Sequence, residues 1–137
     1  MKEKPLQNSL LYLIIVLLLT ACCTIHKPYP EKLIAPLNKL TPAVQAVIAW
    51  PEESEPVPEN RILEEGVKDK PELQEAFKGI PIKIKQYGKN VVILVCSPDG
   101  KNAWLEDASW TDGVDKEWYK NDPSHPCDFS LDPSLAP

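Results

Sequence analysis

The most regular pattern in the chain runs from Ile80 to Trp110. Ile80, Ile82 and Ile84 alternate with Pro81, Lys83 and Lys85, the period of a strand with one buried face and one solvated lysine face. Tyr87-Gly88-Lys89-Asn90 reads as a turn. Val91 to Val95 is then a continuous apolar run, which suits a central strand covered on both faces. Ser97-Pro98-Asp99-Gly100-Lys101-Asn102 carries the residues of a second turn. Ala103 to Trp110 completes a third strand. Strict alternation there puts Ala103, Leu105, Asp107 and Ser109 on one face and Trp104, Glu106, Ala108 and Trp110 on the other. The pattern predicts a three-stranded antiparallel meander.

Upstream the period lengthens to that of a helix. Pro71-Glu72-Leu73-Gln74-Glu75-Ala76-Phe77-Lys78 has proline at its start, Glu72 toward the positive end of the dipole and Lys78 toward the negative end. Leu73, Ala76 and Phe77 form its buried stripe, and Gly79 ends it. Asn60 is placed to cap a short helix over Arg61 to Glu65, stopped by Gly66. Thr41-Pro42 reads as another helix start, with Val44, Val47 and Ile48 on one face and Pro51 as its end. The same valines and isoleucine also suit a short strand. Between Pro51 and Pro58 lie three prolines and three glutamates and almost nothing apolar; this is a loop. Beyond Trp110, Asp112-Gly113 marks a turn and Val114 to Tyr119 one helical turn with Trp118 and Tyr119 inward. Asp122 to Pro137 reads as an irregular tail. The fold class expected is α+β: a small meander with one or two short helices packed on it.

The N-terminus follows a different logic. Leu10 to Ala21 is almost wholly apolar and is preceded by Lys2 and Lys4. As a helix it would span roughly 18 Å, against about 30 Å of hydrocarbon core, so its length suits a signal-peptide core better than a membrane span. It ends in Leu19-Thr20-Ala21-Cys22, which resembles the lipobox of bacterial lipoproteins. The resemblance covers residues 1–22 alone. It implies that Cys22 receives a diacylglyceryl group, that residues 1–21 are removed, and that the protein is lipid-anchored at the cell envelope, facing the periplasm. It also implies outer-membrane sorting where two membranes exist, since Cys23 rather than aspartate follows the modified residue. Residues 22–41, with Pro28, Pro30 and Pro36, then read as a tether, and 42–137 as the folded domain. Leu33, Ile34, Leu37 and Leu40 are too apolar for a pure linker and point to a segment lying along the domain surface.

Charge narrows the partners. The net charge is −5, and loss of residues 1–21 removes two lysines and one glutamate, leaving −6. An acidic chain without clustered lysine and arginine is poorly suited to nucleic acid and has no polybasic patch for anionic lipid. The membrane is therefore met through the Cys22 lipid, where two or more acyl chains hold stably and one does not. Cys96 and Cys127 form an even pair for an oxidising compartment; free thiols, or a metal held by Cys96, His125 and Cys127, are the alternatives. Cys23 is left over.

The sequence shows no phosphate-cradling glycine loop and only one histidine, His125, in the folded part. No catalytic residue, cofactor or resident metal is assigned. The carboxylates Glu106, Asp107, Asp112, Asp115 and Glu117 read as a solvated acidic face, without the alternating ligands of a calcium loop. Trp104, Trp110, Trp118 and Tyr119 read either as core or, with Asp112 and Asp115, as an interaction surface. The functional expectation is a non-catalytic interaction or structural module that binds another envelope protein. An inhibitor or accessory subunit of an envelope enzyme, and a small metal-dependent enzyme, are the rival classes.

Overall fold

A computed structural model of the chain describes residues 30–50 and 57–137. The signal segment, Cys22, Cys23, His26 and most of the Pro51–Pro58 loop lie outside the described residues. A 3-10 turn at Pro30–Leu33 leads into helix α1 (Ile34–Ala49), followed by α2 (Glu59–Val67), α3 (Pro71–Ala76), strands β1 (Ile82–Tyr87), β2 (Asn90–Cys96) and β3 (Ala103–Ala108), and a helical turn α4 (Trp118–Asn121). The sheet is antiparallel in the order β1-β2-β3. The α+β class and the meander follow the sequence pattern.

Strand β2 is the centre. Val91 through Cys96 have no exposed surface at all, so both faces of the sheet are covered. On one face Val91, Ile93, Val95 and Leu105 pack with Leu33, Leu37, Leu40 and Val44 from the N-terminal segment and with Ile62, Leu73 and Phe77 from α2, α3 and the residue after it. On the other, Leu94, Cys96 and Ala103 pack with Cys127, Trp118 and Phe129. The second cover is the C-terminal tail. It crosses the lysine side of β1, where Lys83 Nζ donates to the Cys127 carbonyl at 2.5 Å and Lys85 pairs with Asp132 at 3.7 Å. Both lysines remain exposed, so the solvated face stands as the pattern predicts and also holds the tail.

Three expectations are corrected. The first helix begins at Ile34, inside the stretch read as tether, so Thr41 is in mid-helix and is not a cap. Leu33, Leu37, Leu40 and Val44 recur at helical spacing and are all buried, and that burial decides the matter over proline. Pro36 lies in the first turn, where backbone N–H groups have no helical acceptor in any case. Pro42 lies on the exposed side, so water can serve the carbonyl that its missing N–H leaves unbonded. Gly66 lies inside α2 and does not stop it. A Cβ there would come 3.1 Å from Val44 Cγ2; the glycine lets α2 approach α1. Finally, β3 carries a bulge opposite Val95/Cys96. The extra residue breaks alternation, so Trp104 and Leu105 both join the helix-side cluster while Ala103 joins the tail side.

The Cys96 and Cys127 sulfurs meet at disulfide distance, with Cα atoms 5.7 Å apart and a sequence separation of 31. Closing such a loop corresponds to roughly 3–4 kcal/mol in the chain-entropy picture. The Cys96→Ser/Cys127→Ser double variant is expected to lose about that much in denaturant unfolding and to become protease-sensitive in the tail. An unchanged unfolding midpoint would show that the two sulfurs are not bonded in the protein.

Candidate functional site

Two adjacent acids on β3, Glu106 and Asp107, are buried, with 0% and 3% of their surfaces exposed. The expectation of a solvated acidic face fails for both. Being neighbours on a strand, they point to opposite faces, and their surroundings differ in kind.

Glu106 points under the tail. Its Oε1 accepts from the Ser130 and Leu131 backbone N–H groups at 2.8 and 2.9 Å. Its Oε2 accepts from Ser130 Oγ at 2.7 Å and from Trp118 Nε1 at 3.2 Å. Four donors compensate the loss of water that a buried carboxylate otherwise suffers. Main-chain bonds between Glu106 and Lys116 fasten the same residue to the segment before α4. Glu106 is thus a clasp that ties three parts of the C-terminal third to one strand.

Asp107 points to the helices. Its Oδ2 is hydrogen-bonded to the hydroxyl of Thr41 on α1, sixty-six residues away in sequence. Its Oδ1 is buried and has no partner. Burial pushes the carboxyl from its ordinary 3.8 up to about 6. The Thr41 hydroxyl and the Ala108 N–H oppose that rise, and the nearby Asp115 carboxylate adds to it. The Thr41 hydroxyl also lies 3.2 Å from the Leu37 carbonyl, yet it has only one proton. A protonated Asp107 resolves the conflict: it donates to Thr41 Oγ1, and Thr41 donates to Leu37. An ionised Asp107 instead accepts the hydrogen bond from Thr41 Oγ1, and the Leu37 carbonyl loses that donor.

Beside Asp107 a cleft of about 300 Å³ opens between α1 and the loop after β3. Asn38, Thr41, Pro42 and Gln45 form the helix wall, and Ser109, Thr111, Asp112 and Gly113 the loop wall. The loop is held by Asp115, whose Oδ2 accepts from Ala108 N at 2.8 Å and from Thr111 Oγ1 at 2.7 Å. Gly113, at φ +79°, supplies a left-handed turn residue that other side chains rarely adopt.

The aromatic and acidic residues singled out from sequence are divided among these tasks. Trp104 and Tyr119 pack on the helix-side core. Trp118 packs on the tail side and stacks on His125, with ring centroids 3.7 Å apart and planes 3° from parallel. Trp110 falls beyond the end of β3 and is half-buried. Asp112 is exposed at the cleft, and Asp115 is half-buried and bonded to Ala108 and to Thr111 of the loop wall. Among the described residues, no three histidine, cysteine, aspartate or glutamate side chains gather as metal ligands. Asn38, Thr41 and Gln45 were not legible as site residues. They lie on a helix whose position over β3 no local pattern encodes.

The two acids give contrasting expectations. Glu106→Gln turns one acceptor oxygen into a donor facing the Trp118 and Ser130 donors, and should cost about 1–3 kcal/mol in unfolding free energy; no loss would mean the clasp is not formed. For Asp107 the folded carboxyl holds its proton to higher pH than the unfolded one, so its contribution is fully present below about pH 4 and is lost as pH rises through about 6. Asp107→Asn should therefore be more stable than the parent above that range, by up to about 3 kcal/mol, with the two converging in acid. Parallel stability curves for the two proteins would remove the buried-acid account. Comparison of the chain with protein-family models, with curated proteins and with solved structures finds no match.

Proposed function

We propose that the chain is a lipid-anchored envelope protein whose folded part is a non-catalytic module for binding another envelope protein. The observation that carries the anchor is Leu19-Thr20-Ala21-Cys22 at the end of a short apolar run with lysines before it. A pair of sulfurs at disulfide distance supports the same compartment. Anchoring is assigned to the lipid, and among the described residues no helix is long and apolar enough to cross a membrane.

The binding role is supported by how the polar side chains are used. Glu106, Trp118 and Ser130 fasten the tail, and Asp115 and Thr111 fasten the loop. These are structural duties. Asp107 keeps one buried oxygen without a partner, and the open polar cleft it borders, on a tethered acidic domain, is a place to receive a partner.

Cys22→Ser should move the protein from the membrane fraction to the soluble fraction and abolish incorporation of labelled palmitate. Retention in the membrane without Cys22 would overturn the anchor.

A further inference from the structure

We propose that the cleft between α1 and the loop after β3 receives one cationic side chain, a lysine ammonium or an arginine guanidinium, from a basic segment of a partner protein, and that Asp107 is its main acceptor. The inference rests on the interaction-module reading above and gives that module its site and ligand chemistry.

Four observations converge. First, Asp107 is almost wholly buried, borders the cleft, and keeps Oδ1 without a hydrogen-bond partner. A buried acceptor left unpaired costs more than an exposed one, and such groups call for an explanation. A donor arriving through the cleft supplies it. Second, the charge around it has one sign. Asp112 lines the cleft, Asp115 lies close enough to act on Asp107, and among the described residues no basic one lines the walls. A cation relieves the repulsion between these carboxylates, whereas an anion adds to it. Third, about 300 Å³ lies at the small end of ligand pockets. That volume accommodates the end of one side chain rather than a large cofactor. Fourth, the chain is acidic overall, which steers a basic partner toward it.

Thr41 has a positioning role. Its hydroxyl occupies Asp107 Oδ2, so buried Oδ1 is the oxygen left for a second donor. When Asp107 is ionised and a cation takes Oδ1, both oxygens are satisfied.

The test uses the full-length chain in detergent micelles, isotope-labelled for amide spectra, and four probes: Nα-acetyl-arginine amide, Nα-acetyl-citrulline amide as its uncharged isostere, a glycine-flanked peptide carrying one arginine, and the same peptide carrying one lysine. The arginine and lysine probes should shift the amides of Asp107, Ala108, Thr111 and Gly113 saturably, and citrulline should not. Asp107→Asn should weaken binding about tenfold and Asp112→Asn by less. Equal binding of citrulline, unchanged affinity in Asp107→Asn, or no saturable shift would overturn the assignment. The peptides should bind at least as well as the free amide; preference for the free amide would overturn a partner-borne source. Crosslinking in intact cells separates the two levels: a partner captured away from the cleft would overturn the cleft and leave the module standing.

Discussion

A strand with no exposed surface on either side must be covered twice, and in so small a protein the two covers come from opposite ends of the chain. Strand β2 imposes this condition. Val91, Ile93 and Val95 need one apolar partner layer, and Leu94 and Cys96 another. The first layer recruits α1, α2 and α3; the second recruits the tail beyond Cys127. Three strands with a single covered face are already near the lower limit of independent stability, so the double cover is what lets so short a meander stand. The sulfur pair sits where that second layer begins, and the tail has little regular structure of its own to hold it in place.

The bulge in β3 and the order of its acids then distribute polarity between the layers. Because neighbouring strand residues point oppositely, Glu106-Asp107 delivers one carboxyl to each. The tail side provides four donors for Glu106. The helix side provides Thr41 for Asp107 and leaves one oxygen unpaired. Such asymmetry separates an acid that builds structure from one held ready for something else. The unpaired oxygen and the raised proton affinity of Asp107 have one origin, desolvation without full compensation. The same cause makes the cleft costly when empty and receptive to a donor.

Much of the architecture was legible because it is local. The Ile80–Ile84 alternation, the Val91–Val95 run, the two turns and the Pro71 helix start all express themselves within a few residues, and each element exists where the pattern placed it to within two residues, β1 starting at Ile82 and the first turn tightening to Gly88-Lys89. The misreadings share a cause. Pro42 and Gly66 carry strong local signals for a helix start and a helix stop, and in both cases packing prevailed: a buried leucine stripe carried α1 through the proline, and the close approach of Val44 required the glycine inside α2. Strict alternation failed at Trp104 because a bulge is a property of two paired strands.

The candidate site was legible only in part. Asp107 and Asp112 stood out as acids, and Trp118 and Tyr119 as aromatics, but composition could not separate buried from solvated or core from surface. By itself the sequence determined the meander, the helical stripe of Phe77, the pairing of Cys96 with Cys127 as a prospect, and a resemblance at residues 1–22 that points to the envelope. Tertiary structure alone decided that α1 lies over β3, that Thr41 reaches Asp107 across sixty-six residues, and that the tail closes on Glu106. Those contacts depend on which faces of distant elements meet, and burial, the property that turns one carboxyl into a clasp and its neighbour into an acceptor with one oxygen unpaired, exists only once they have met.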